Sequence, residues 1–192
     1  MLSQAEVKII NERINLVKMN ILFFREKCKI KSTNKFLSRF SVSAQEATKL
    51  TMLQHKNMTT PLVETYISTL NSRLGNCNEK SIVSYISLKK NPVVIMNNHL
   101  VSLVESYGTG ADHVFIIIAD HKINEYQVAD ISTLGETAII LDAWVEDWYL
   151  PNIKLVNSLQ FESTIPTPIQ FITRQKISRM PIIGYPNIRP IL

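Results

Sequence analysis

The chain has 192 residues, 45% of them hydrophobic, with only 5 glycines and a formal net charge of +5; this fits one domain with a sizeable core and is short for two. Residues 1–50 hold ten Lys/Arg against four Asp/Glu, whereas residues 51–192 hold eleven against twelve, so the basic excess belongs to the N-terminal segment. With no nucleic-acid-binding motif beside it, the excess reads as a solvated face, and two cysteines make no disulfide framework and suit a reducing compartment.

Ile10, Ile14, Val17, Ile21 and Phe24 recur at alternating spacings of four and three, which predicts an amphipathic helix from about Ser3 to Lys27. The run from Ile14 to Phe24 is interrupted by Lys18 and Asn20, too short and too polar for a membrane span. Glu6 and Glu12 precede it and no small-residue cleavage site follows, so no Sec-type signal peptide is expected; export by a specialised system stays open. Cys28, among charged neighbours, reads as an incidental thiol. Lys27, Lys29, Lys31 and Lys35 suit the end of a helix dipole. After a polar link, Ser43 with Glu46 three residues on caps a second helix, and a third covers about Thr60 to Leu74.

Gly75-Asn76-Cys77-Asn78-Glu79 follows. Asn76 is a good N-cap and Glu79 completes a capping box, which makes Cys77 the first residue of a helix running to about Lys90, where Asn91-Pro92 stops it. At that position unsatisfied backbone N–H groups and the positive end of the helix dipole favour a thiolate. Residues Val93 to Tyr107 read as helix with some strand character, and Gly108-Thr109-Gly110 as a flexible turn, since it lacks the strand and helix of a phosphate loop. The β-branched and aromatic runs His113 to Ala119 and Ala138 to Leu141 are strands buried on both faces, with a short strand around Tyr126 to Ile131 between them. Five prolines between Pro166 and Pro190 predict an extended, irregular tail that wraps the body.

If the two buried strands are antiparallel neighbours with Ala119 near Glu136, His113 at the head of one directly faces Asp142 at the tail of the other. Opposed residues share a face with Cβ atoms about 4.5–5.5 Å apart, a separation that suits a carboxylate accepting from an imidazole. Cys77, His113 and Asp142 then supply nucleophile, general base and orienter. His99 lies in an apolar run and reads as structural, His121 leads into a polar loop, and His55 has no acid opposite; Asp112, Asp120, Asp130 and Asp147 mostly read as loop or surface acids. Trp144 reads as core that also walls the site. The Cys77 N–H and the side chains of Asn76 and Asn78 are candidate oxyanion donors. The histidines and cysteines show no metal-ligand spacing, and no cofactor is expected.

Gly-Asn-Cys at a helix start, Asp112-His113-Val114-Phe115 opening a strand and Ile140-Leu141-Asp142-Ala143-Trp144 ending the next resemble the transglutaminase-like branch of the papain-like Cys-His-Asp superfamily. The resemblance covers about residues 75–149; the family often has proline after the aspartate, where this chain has Ala143. It implies an α+β fold with a papain-like/transglutaminase-like core, the helical N-terminal half packed on a small antiparallel sheet. The expected organisation is one domain over 1–192: a helical subdomain 1–74, the Cys helix and strands 75–149, and the tail 150–192. Similar cores occur in bacterial virulence effectors. The implied function is therefore a glutamine deamidase or transglutaminase working through a thioester on a host protein, secreted by a specialised system, with no nucleic acid, membrane span, metal or cofactor. A papain-like cysteine protease is the alternative, and an inactive binding module using the basic N-terminal helices is the second.

Overall fold

The computed structural model describes residues 2–32, 42–57, 60–107, 113–123, 128–130, 134–150 and 176–178. It is α+β, with helices packed on an antiparallel sheet.

Helix α1 (Gln4–Phe23) starts on a reciprocal Ser3/Glu6 capping box and continues into a π-helical turn (Phe24–Cys28), closed by Lys29 in a left-handed conformation with φ 49. The amphipathic pattern therefore ends in a widened last turn, with the Lys29 N–H donating to the Phe24 carbonyl at 2.9 Å. Helix α2 (Ala44–Asn57) opens on the expected Ser43/Glu46 pair, and α3 (Leu62–Ser72) follows. Helix α4 (Cys77–Lys89) is buried almost all round, from Asn78 to Ile86 and at Leu88. Such a helix needs small polar residues that close their own hydrogen bonds. Ser81 Oγ donates to the Val114 carbonyl at 2.7 Å, and Ser84 Oγ to Asn20 Oδ1 at 2.7 Å.

The mainly helical reading of Val93 to Tyr107 is corrected. Helix α5 (Pro92–Met96) is a single short turn of helix, Asn98 takes a left-handed φ of 51, and β1 (Leu100–Tyr107) follows as a full strand. Pairing decides it: Leu100 to Glu105 ladder against β2 (Val114–Ala119), with Leu100 opposite Ala119 and Glu105 opposite Val114. An apolar run without clear periodicity takes its state from such partners.

The other strands are β3 (Val128–Asp130), β4 (Ile139–Asp142), β5 (Asp147–Tyr149) and β6 (Lys176–Ser178), in sheet order β3-β6-β1-β2-β4-β5 with every pair antiparallel. Gly108-Thr109-Gly110 and most of the proline-containing tail lie outside the described residues. Alternation along the strands sorts the core into two layers. Val101, Leu103, Val114, Ile116, Ile118, Ile139 and Leu141 pack with Ile10, Ile14 and Val17 of α1 and Ile82, Tyr85 and Ile86 of α4. Val104, Phe115, Ile117 and Ile140 form the other layer with Ile123, Leu134 and Tyr149. The N-terminal helices and the strand region thus share a core.

At the far end of the sheet, buried Arg13 donates to Asp120 Oδ1 at 2.7 Å, to the Thr137 carbonyl and hydroxyl at 2.9 and 2.8 Å, and to the Ala119 carbonyl at 3.1 Å. His99, 7% exposed, pairs with Glu12 beside it, so its expected structural role fits its place. No helix among the described residues is long and apolar enough to cross a membrane.

Candidate active site

Residues ahead of α4 fix where Cys77 stands. Lys31 N–H donates to the Arg73 carbonyl at 2.8 Å and Gly75 N–H to the Lys31 carbonyl at 2.9 Å, which straps the chain leaving α1 onto the loop before α4. Gly75 lies so close to the first turn of α4 that a Cβ there would come within 2.7 Å of Glu79 Cβ. Asn76 is extended and forms a reciprocal box with Glu79; its N–H donates to Glu79 Oε2 at 3.0 Å. Cys77 is accordingly the first helical residue, and it is half-buried.

His113 immediately precedes β2, and Asp142 ends β4. Their pairing differs from the direct opposition expected: Ile116 faces Leu141 and Ile118 faces Ile139, which puts the ladder two residues away from the Ala119–Glu136 register. The cause lies in the turn before β4. Asp120 N–H donates to the Leu134 carbonyl at 3.2 Å, and Ala138 N–H to the Gly135 carbonyl at 3.4 Å, so the chain is still turning at Glu136 and Thr137. Because side chains alternate with period two, a shift of two keeps both residues on the same face, where a shift of one would have separated them. His113 and Asp142 meet across a diagonal, with Nε2 2.7 Å from Oδ2.

The second carboxylate oxygen of Asp142 accepts from the backbone N–H groups of Trp144 and Val145 at 3.0 and 3.1 Å. Both oxygens are engaged as acceptors, as an ionised, 6% exposed aspartate requires. The imidazole lies against Phe115, nearly parallel at 5.9 Å between centroids, and meets Trp144 edge-on at 5.6 Å. It also hydrogen-bonds to the Cys77 side chain. With Nε2 on Asp142, Nδ1 is the nitrogen left for the thiol. Burial of the ring opposes its protonation, but the hydrogen bonds to Asp142 and Cys77 and the negative charge on both outweigh it and raise the ring's pKa to about 10. Near neutral pH the ring is therefore a cation set between a carboxylate and a sulfur.

The other expected site residues fall around this centre. Trp144 walls the ring, and its Nε1–H donates to Ser32 Oγ at 3.2 Å. Ser32 in turn donates to Asn76 Oδ1 at 2.8 Å. The side-chain oxygen of Asn76 thus serves the helix cap and Ser32. Asn78 is buried; its Nδ2 faces Glu79 Oε1 at 3.5 Å and its Oδ1 has no hydrogen-bond partner. Each amide also carries an Nδ2 group that can donate, so the Cys77 N–H at the helix start and the Asn76 and Asn78 side chains all remain candidate oxyanion donors.

Residues the sequence did not signal complete the setting: Ser32, and the ionic group Arg25, Lys80 and Glu146 beside the turn that follows Asp142. Only the spacing of Lys80, three residues after Cys77 and so on one side of α4, hinted at it. The alternative histidines stand apart, with His55 exposed on α2 and His121 exposed beyond β2. Asp112 and the side chain of Asp130 lie outside what is described, while Asp120 binds Arg13 and Asp147 accepts from the Trp148 N–H at 2.7 Å. Among the described residues no group of three or more His, Cys, Asp or Glu is arranged to hold a metal ion. A scan against protein-family models, a search of curated proteins and a search of solved structures each return no match.

Proposed function

We propose that the protein is a cysteine-dependent acyl-transfer enzyme acting on protein carboxamides, a glutamine deamidase or transglutaminase with a papain-like/transglutaminase-like core. The observation that carries the reading is one imidazole hydrogen-bonded at once to Cys77 and Asp142. In the reaction, Cys77 Sγ attacks the carboxamide carbon and the C=O pair moves onto oxygen beside the Cys77 N–H. The tetrahedral species collapses as His113 gives its proton to the departing nitrogen, which releases ammonia and leaves a thioester. The neutral ring then takes a proton from water or from a protein amine as it attacks. Water yields the carboxylic acid, which loses its proton to solvent, and an amine yields an isopeptide cross-link; in each case the thiolate is expelled and the thiolate–imidazolium pair is regenerated. Asp142 stays ionised throughout and holds the ring.

The resemblance of the Cys, His and Asp segments to secreted bacterial effectors supports a host protein as substrate. Peptide hydrolysis would use the same groups with a backbone amine as leaving group, and a binding module would use none of them. The chemistries separate in one experiment. Wild type and Cys77→Ala are incubated with host-cell lysate, and the peptides are searched for glutamine converted to glutamate, for new cross-links and for new termini. Conversion or cross-linking that depends on Cys77 is expected. New termini would shift the assignment to a protease, and identical peptides from both proteins would reject the enzyme.

A further inference from the structure

Glu146 lies in the turn between β4 and β5 with a left-handed φ of 63, a conformation that glycine adopts far more readily. Its N–H donates to the Asp142 carbonyl at 2.8 Å, closing the turn that the acid begins. Its side chain meets two cations. Oε1 accepts from Lys80 Nζ at 2.9 Å and Oε2 from Arg25 Nε at 3.3 Å, while the Glu146 carbonyl accepts from Arg25 at 3.0 Å. The Lys80 side chain is 2% exposed, against 58% for Arg25, so the tie to α4 is the buried one. Cys77 and Lys80 share a side of α4: one reaches the histidine and the other reaches the turn of the acid that holds it.

We propose that Glu146 is a positioning residue whose carboxylate, bound by Lys80 and Arg25, sets the separation between the turn carrying Asp142 and the helix carrying Cys77. The proposal rests on Cys77, His113 and Asp142 forming the reactive triad. Glutamate in a left-handed turn is then accounted for by its side-chain contacts rather than by the backbone. Without the tie, Asp142 sits less firmly on His113, the ring holds its proton less tightly, and the thiolate loses its neighbouring cation.

The test uses the full chain, with iodoacetamide labelling of Cys77 followed across pH and the thermal midpoint measured alongside. Glu146→Gly eases the left-handed turn and cuts the tie. It is expected to move the labelling midpoint up by about one pH unit, so that labelling on the acid side slows about tenfold. Glu146→Gln, which keeps the size and removes the charge, is expected to shift the midpoint in the same direction by less. Because Glu146→Gly takes the counter-charge from buried Lys80, the pair Lys80→Met with Glu146→Gly is measured as well; it should regain thermal stability yet keep the shifted profile. A wild-type profile in that folded double variant would overturn the positioning role and leave the triad standing. A wild-type protein that itself labels with a midpoint near ~8.5 would instead remove the triad and the proposal with it.

Discussion

His113 and Asp142 meet on a diagonal of the β2–β4 ladder, with Nε2 2.7 Å from Oδ2, although Ile116 rather than His113 stands in register near the end of β4, opposite Leu141. The pairing survives because imidazole and carboxylate are long enough to span a two-residue offset on one face. It leaves the other ring nitrogen for Cys77, which is what makes the three residues a unit.

That relationship has a signature in stability. The ring's pKa is raised from 6.5 to about 10 in the folded protein. A raised value gives a contribution that is complete below about pH 6.5 and is lost as pH climbs through about 10. Asp142→Asn keeps an oxygen for the Trp144 and Val145 N–H groups but no longer accepts from a protonated ring. Urea unfolding across pH is expected to show wild type ahead of Asp142→Asn by about 2 kcal/mol near pH 6, with the gap closing toward pH 10. A gap that stays constant with pH would mean that His113 is not charged in the folded state.

Two capping boxes allow an internal comparison. The box at Asn76/Glu79 is buried, whereas the one at Ser3/Glu6 is exposed to water. Glu79→Ala strands a buried N–H and is expected to lower stability by about 1–2 kcal/mol, more than Glu6→Ala, by chemical denaturation. Gly75→Ala, whose added methyl would press on Glu79 Cβ at 2.7 Å, should cost about 1–3 kcal/mol. It should also slow Cys77 labelling, because the clash falls on the turn that presents the thiol.

Arg13 supplies the opposite control. It is 5% exposed and its guanidinium is bound to Asp120, Thr137 and Ala119 at the end of β2 remote from His113. Arg13→Ala removes the buried donor from the Thr137 and Ala119 carbonyls and should lower stability by roughly 1–3 kcal/mol in a denaturation experiment. Below its melting temperature the variant should keep the wild-type pH profile of Cys77 labelling.

The local parts of the site were legible in the sequence. A capping box spans three residues and announces itself as Asn76 and Glu79, and a strand buried on both faces shows as Val114 to Ala119. The face shared by His113 and Asp142 was legible too, since it depends only on parity along two strands. Their register was not, because it is set by how many residues the turn ending at Thr137 consumes. Nor was the strand Leu100–Tyr107 recognisable beside α5, where an apolar run took its conformation from a partner strand. Ser32 and Glu146 carry no periodic or motif signal, and Lys80 carries only its three-residue spacing from Cys77. Ser32 joins Trp144 to Asn76, and Lys80 joins Glu146, only once the chain has folded segments far apart in sequence against one another.

A Cys77 nucleophile paired with a charged His113 is alkylated with a pH dependence that an isolated thiol does not share. Labelling is read peptide by peptide, which counts Cys28 separately; that thiol is buried, and burial pushes its pKa up to about 11. In the wild-type protein Cys77 is expected to be alkylated faster on the acid side of neutrality than a free thiol, and Asp142→Asn to slow that acid-side labelling. A midpoint near ~8.5, unchanged by Asp142→Asn, would mean that Cys77 is an ordinary thiol with no charged His113 beside it.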